Sequence, residues 1–348
     1  MQRRKIYAII YAVMAAVFYA INVPLSKLLL DHVGTTTMAA LLYLGAGIGI
    51  LIMSLFNKGD NSREDKLNKN DLPYVIGMIL LDIAAPIFLM FGIRYGSSAN
   101  ASLLGNFEIV ATTLIALLIF KEAVSIRLWA AISFITLSSI ILSYEGAGSF
   151  QFSYGSILVL LATICWGFEN NCTRNISSKN TYEIVVLKGI FSGAGSLVIA
   201  LILHEKLPDI IYIAKALLLG FVAYGLSIFL YVRAQNILGA AKTSAYYAVA
   251  PFIGAFLSFI LLKEKLSVTF VIAFLVMTIG TIMVVLDTLL RNHTHEHQHT
   301  FTHTHDGYTH THTIIHTHPH NHYLNGEKHG HHHTKEELEK GHEITFDV

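Results

Sequence analysis

Ten apolar runs dominate this chain, each close to the roughly 20 residues that a helix needs to cross about 30 Å of hydrocarbon. They cover Ile6 to Leu30, Thr36 to Phe56, Leu72 to Ile93, Ala99 to Phe120, Leu128 to Tyr144, Tyr154 to Cys172, Ile184 to Leu203, Ala216 to Val232, Ala240 to Leu262 and Val268 to Leu290. Composition agrees: 53% of the 348 residues are hydrophobic and only 14% charged, against about 25% charged in a typical soluble domain. The expected fold class is an all-α integral membrane protein with ten transmembrane helices, which excludes a conventional soluble enzyme. The first run follows Arg3-Arg4-Lys5, is too long for a signal peptide, lacks an A-x-A pattern and continues through Pro24 and Lys27. It is read as an uncleaved first span.

Charge sets the expected orientation. With the N-terminus in the cytoplasm, the inside segments carry thirteen Lys and Arg, among them Lys58, Arg63, Lys121, Arg127, Arg174 and Arg233. The outside loops carry five, Arg94, Lys206, Lys215, Lys263 and Lys265, as the positive-inside rule requires. An even number of spans brings both termini to the cytoplasmic face of a plasma membrane. Cys165 and Cys172 lie seven residues apart, about 10 Å along a helix, too far to pair with each other.

The chain also repeats itself. Ala101-Ser102 and Ile119-Phe120-Lys121-Glu122 find counterparts 142 residues later in Thr243-Ser244 and Leu261-Leu262-Lys263-Glu264. Tyr19-Ala20, Asn22 and Lys27 find theirs at an offset of 147 in Trp166-Gly167, Glu169 and Arg174. Each copy holds five spans, residues 6–145 and 153–290. Five is odd, so the second copy enters the membrane from the opposite side, the inverted duplication of secondary carriers with a midplane site.

The stretch from Tyr224-Gly225-Leu226-Ser227 through Leu238-Gly239-Ala240-Ala241-Lys242-Thr243-Ser244-Ala245, then Ala250-Pro251-Phe252 and Leu262-Lys263-Glu264-Lys265-Leu266, resembles the second repeat of the EamA family of the drug/metabolite transporter superfamily. Gly155, Ala162 and Trp166-Gly167 fit the start of that repeat. The first copy is looser, since Phe107-Glu108-Ile109 stands where the family often has Leu-Glu-Pro, and the helix-bending proline is missing. The resemblance covers about residues 7 to 288 and implies export or exchange of a small metabolite by a ten-helix carrier. It does not choose the substrate.

Charges at the bilayer centre cost at least about 2.5 kcal/mol on insertion scales, so they face a partner or a watery cavity. Glu108, ten residues into its span, is the first candidate, as an amine contact or a proton carrier. Asp82, four residues before Pro86, is expected to pair with a cationic substrate or with Lys188. Lys188 itself, early in its span, reads more strongly as a snorkelling side chain than as a carboxylate binder. Lys27 and Arg174 read as span-end anchors. Asn22 and Asn106 add neutral polar groups, and Glu169, Asn170 and Asn171 form a patch expected at a cavity mouth. Among the aromatics Tyr19, Trp166, Tyr224, Tyr231, Tyr246 and Tyr247, Trp166 and Tyr246 are the ones weighed as direct substrate contacts. The glycines Gly45, Gly47, Gly49, Gly189, Gly193 and Gly195 are read as helix-packing positions.

From Arg291 onward the chain changes character: 17 of its 19 histidines lie there, with 4 Lys and Arg and 8 Asp and Glu. So polar a segment is expected to be a disordered cytoplasmic tail. His293, His295, His297, His299, His303, His305, His310, His312, His316, His318, His320, His322, His331, His332 and His333 are candidate ligands for Zn²⁺, Ni²⁺ or Co²⁺, without the fixed spacing of a closed structural zinc site. No cofactor is required by anything in the sequence. The expected partners are a small-molecule substrate and the lipid bilayer, with a homodimer left open and no nucleic acid.

The principal expectation is a secondary carrier that exports or exchanges a small organic metabolite such as an amino acid, by alternating access. The alternative is a transition-metal exporter or metal-responsive regulator built around the tail, although His32 and His204 lie only at span ends. An enzyme is not expected, because the chain has no phosphate-binding glycine loop, no Gly-x-Ser-x-Gly and no His-Glu-x-x-His.

Overall fold

The computed structural model describes residues 2–56, 65–120, 125–143, 153–238, 240–291, 293–305 and 308–320. Lys58, Arg63, Lys121, Glu122 and Tyr144 fall outside the described residues, as do His322, His331, His332 and His333.

Residues up to 285 form one compact helical unit. Its helices are α1 (Gln2–Ala20), α2 (Asn22–Leu29), α3 (Thr35–Phe56), α4 (Leu72–Tyr95), α5 (Ser98–Leu104), α6 (Phe107–Phe120), α7 (Ile126–Ser143), α8 (Tyr154–Ile176), α9 (Thr181–Ile202), α10 (Ile210–Gly220), α11 (Ser227–Leu238), α12 (Ala240–Tyr247), α13 (Ala250–Leu262) and α14 (Val268–Arg291). Among the described residues, nine helical stretches are long and apolar enough to cross a membrane. α8 does not reach that measure: it has 23 residues, but its second half carries Glu169-Asn170-Asn171 and Arg174 and falls below the hydropathy of those nine.

Three spans are broken about a third of the way from one end, for local reasons. Between α1 and α2 the chain turns at Ile21, because Pro24 has no N–H to give the Ala20 carbonyl. Between α12 and α13, Pro251 leaves the Tyr247 carbonyl in the same position. Between α5 and α6 no proline is present, and the helix still breaks, at Gly105-Asn106. There the Gly105 N–H bonds back to Ser102 O at 3.1 Å and the Asn106 N–H to Leu103 O at 3.2 Å, a tightening to three-residue turns. The absent proline of the first copy thus does not keep that span straight. A fourth irregularity, the π-helical turn Phe221–Leu226, links α10 to α11.

The breaks face one another: a Cβ on Gly105 would lie 3.6 Å from Pro251 Cγ, and Ser98 Oγ lies 2.9 Å from Ser258 Oγ. As numbering rises along α5 it falls along α13, so these helices run antiparallel. The same holds for α3 and α9, where Gly47 meets Gly189 and Leu44 meets Gly193, and for α7 and α14, where Ser138 donates to Ala273 O at 2.6 Å and Ile135 meets Gly280.

Carboxylates from one copy cap helices of the other. Glu205 accepts from the Thr36 N–H (2.9 Å), the Thr37 N–H (2.8 Å) and the Thr37 hydroxyl (2.7 Å). Glu264 accepts from the Ser98 N–H (2.7 Å), the Ala99 N–H (3.0 Å) and the Ser97 hydroxyl (2.8 Å). Each places a negative charge at the positive end of a helix dipole. Burial on its own would raise the Glu205 carboxyl, but the hydrogen bonds from Thr36 and Thr37 outweigh it and hold the group below the usual carboxylate range. A lowered carboxyl adds stability above its unfolded value of about 4.3 and loses it as pH falls through the folded value. Glu205→Gln is therefore expected to lower thermal stability by about 1 kcal/mol at pH 7, with the gap to the wild type closing below about pH 4. Melting of both proteins in detergent across that pH range checks this, and a gap independent of pH would refute the charge argument.

Residues beyond 285 group as a second unit. In it the described backbone pairs β1 (His293–His305) antiparallel with β2 (Tyr308–His320). Its register sets His293 opposite His320, His295 opposite His318, His297 opposite His316 and His303 opposite His310. Thr294, Thr300, Thr302 and Thr304 on β1 and Thr309, Thr311, Thr313 and Thr317 on β2 supply β-branched residues at the period of a strand.

Candidate substrate site

Asp82 stands midway along α4, Glu169 two turns before the end of α8, and Lys188 two turns into α9. The helices bring all three together. Lys188 Nζ lies 2.8 Å from Glu169 Oε1 and 3.1 Å from Asp82 Oδ2. The Tyr43 hydroxyl donates to the other Asp82 oxygen at 2.8 Å, and the Thr173 hydroxyl donates to Glu169. Exposure is 0% for Asp82, 3% for Glu169 and 5% for Lys188. Lys188 therefore does not snorkel: two carboxylates on neighbouring helices hold its ammonium inside the bundle. Glu169 and Asn171 are buried as well, so that part of the patch is no cavity mouth.

Glu108 opens α6 immediately after the break, where the helix dipole favours a carboxylate. Asn170 Nδ2 donates to its Oε1 at 2.5 Å and lies 3.5 Å from Thr112 Oγ1. Unlike the three buried charges, Glu108 keeps partial exposure. Among the described residues it makes no ion pair.

Aromatic rings of both copies meet beside these groups. Tyr19 touches Trp166 (centroids 6.3 Å apart), Tyr224 (5.8 Å) and Tyr247 (5.9 Å). Tyr43 continues the chain of rings from Tyr224 at 5.0 Å, and Tyr231 from Tyr247 at 5.1 Å. Asn22 Nδ2 donates to the Tyr224 hydroxyl at 3.1 Å and its Oδ1 accepts from Ser26 at 3.0 Å. Asn106, at the break itself, is 1% exposed and neither of its amide atoms has a partner among the described residues.

The structure thus brings Asp82, Glu169, Lys188, Glu108, Asn170, Asn22 and Trp166 into one region. Tyr246 stays out of the ring cluster, where its neighbour Tyr247 takes part. Lys27 is also more than an anchor, since its Nζ caps the end of α4 through the carbonyls of Ile93 (2.5 Å), Arg94 (3.2 Å) and Gly96 (2.9 Å). Tyr43, Thr112 and Thr173 escaped the sequence reading. Thr112 and Thr173 sit one turn beyond Glu108 and Glu169, a spacing that signals a hydroxyl within reach of a carboxylate. Among the described residues no group of three or more His, Cys, Asp or Glu side chains is arranged to hold a metal.

A bundle of membrane-length helices, broken at facing points around buried charges and tyrosines, defines a polytopic membrane transporter. The EamA-like transporter family model matches twice, over residues 6–144 and 153–286, and the chain belongs to that family. It is similar to an uncharacterized transporter of Methanothermobacter thermautotrophicus, 26% identical over 297 residues that cover 80% of this chain and 85% of the relative. It is also similar to the uncharacterized transporter YyaM of Bacillus subtilis, 21% identical over 253 residues covering 70% and 82% of the two chains. A solved crystal structure shares the fold at a TM-score of 0.60 and 16% identity, covering 80% of this chain and 96% of its own.

Proposed function

We propose that this transporter is a secondary carrier that moves a small organic metabolite across the plasma membrane by alternating access, amino acids and their derivatives being the first class to consider. The observation that carries the reading is the facing pair of breaks, Gly105-Asn106 in one copy and Ala248-Val249 in the other, beside the charged and aromatic cluster. Discontinuous helices at the interface of two repeats are where such carriers bind substrate. The antiparallel pairing of α3 with α9, α5 with α13 and α7 with α14 supports two copies of five spans in opposite orientation, α8 serving as the tenth. In this reading both termini are cytoplasmic and net movement is outward. The His-rich tail binds Zn²⁺, Ni²⁺ or Co²⁺ as an appendage rather than as part of the path.

The test is flux in proteoliposomes, comparing the full chain with one ending at Arg291, against amino acids, other small metabolites and radioactive Zn²⁺ and Ni²⁺. Organic flux that survives truncation is the expected result. Metal flux that disappears with the tail would replace this reading with a metal exporter.

A further inference from the structure

The chemistry of the cluster narrows the substrate, granted the carrier reading above. Two of the three carboxylates, Asp82 and Glu169, share one ammonium, Lys188, while Glu108 accepts from the Asn170 amide. Lys188 is already committed: both of its ion pairs are short and buried, which leaves it no room to hold a carboxylate of the substrate. Among the described residues Glu108 has only the Asn170 amide as a side-chain hydrogen-bond partner. A membrane-embedded negative charge calls for a cation or a proton.

The neighbours of Glu108 suit an organic cation. Asn170, which holds its carboxylate, lies one helical turn beyond Trp166; Tyr19 packs on Trp166, and Tyr247 and Tyr231 continue the row of rings from Tyr19. These same residues keep partial exposure, whereas Tyr43, Tyr224 and Trp166 behind them are buried. The accessible face of the cluster is therefore one carboxylate and three tyrosines. Ring faces attract ammonium groups through their quadrupoles, most strongly where water is excluded.

We propose that the site at Glu108, Tyr19, Tyr231 and Tyr247 binds an organic ammonium ion that lacks a carboxylate, and selects it against the zwitterionic amino acid of the same body. Glu108 takes the charge, and the tyrosines take the ammonium's alkyl or aryl flanks. The carboxylate of an amino acid would meet Glu108 and the committed Lys188 pairs instead.

The probes are phenethylamine, L-phenylalanine and 3-phenylpropionate, one aromatic body in cationic, zwitterionic and anionic form, with tetramethylammonium as a cation without a ring. Binding to the purified full-length protein is measured by titration calorimetry. Phenethylamine is expected to bind about tenfold or more tighter than phenylalanine, and phenylpropionate not at all. Glu108→Gln, which keeps the acceptor for Asn170, is expected to lose about tenfold or more in affinity for the cation, and Glu108→Asp to keep part of it. Tyr19→Phe is expected to bind normally and Tyr19→Leu to weaken binding, since the ring and not the hydroxyl is used.

Phenylalanine binding as tightly as phenethylamine, neither cation binding, or an unchanged affinity in Glu108→Gln would each overturn the proposal. The two readings fail separately. Cation binding without flux in proteoliposomes removes the carrier and keeps this site, while organic flux that prefers phenylalanine keeps the carrier and removes this site.

Discussion

Lys188→Met is expected to unfold much of the protein on extraction, with a loss of about 3–5 kcal/mol relative to the wild type. Lys188 is the shared counter-charge of Asp82 and Glu169, and all three are buried. Removing it leaves two carboxylates, 0% and 3% exposed, with hydroxyl donors from Tyr43 and Thr173 but no cation. Those hydrogen bonds do not replace a full charge. The loss belongs to the stranded carboxylates more than to the missing contact, and this gives the test. Combining Lys188→Met with Asp82→Asn and Glu169→Gln removes the net charge and keeps both hydroxyl partners, so most of the stability is expected to return. Thermal melting followed by size exclusion in detergent checks both variants. A single variant as stable as the wild type would show that the ion pairs contribute nothing net. A triple variant as unstable as the single one would place the cost in packing around the lysine stem instead.

The same triad marks the boundary of what the sequence reveals. Span positions follow from hydropathy, because lipid imposes a length and an apolar composition that few other environments require. The five-span periodicity follows from landmarks such as Ser102 and Ser244, and the structural breaks obey it to within a residue: Gly105-Asn106 and Ala248-Val249 are separated by 143 positions. Partnerships are another matter. Asp82 and Lys188 belong to different copies, and no local pattern tells which of two distant helices faces which. Lys188 looks like a snorkelling residue because its distance from the end of its span is all a sequence shows, whereas its fate depends on Glu169 one helix earlier and Asp82 in the other copy. The α5–α6 break is hidden for the opposite reason. A proline announces a break chemically, whereas Gly105 and Asn106 carry no such mark, and the Pro251 ring that faces Gly105 lies in the other copy.

Close approach of helices is the other property that decides whether this chain folds, and Gly189 tests it. Along α3 and α9 the two backbones run almost in contact: a Cβ built on Gly189 would overlap the Gly47 N and Cα atoms. These are main-chain atoms of a continuous helix and cannot rotate aside, unlike the end of a long side chain. Gly189→Ala gains about 1 kcal/mol of helix propensity, since glycine is the poorer helix former, but the overlap forces the helices apart along their whole crossing. Overpacking of well-packed interiors costs about 1–3 kcal/mol, and a backbone-to-backbone clash stands at the upper end. A net loss of about 2 kcal/mol is therefore expected, larger for Gly189→Leu. Gly77→Ala is the matched control. Its new methyl would meet only the Cys172 sulfur at 3.1 Å, a side-chain atom that can give, so the propensity gain is expected to leave stability unchanged or higher. Melting temperatures of the two alanine variants, measured side by side in detergent, decide the matter. If Gly189→Ala melts with Gly77→Ala, then α3 and α9 adjust freely, and small residues at this crossing are not what brings the two copies together.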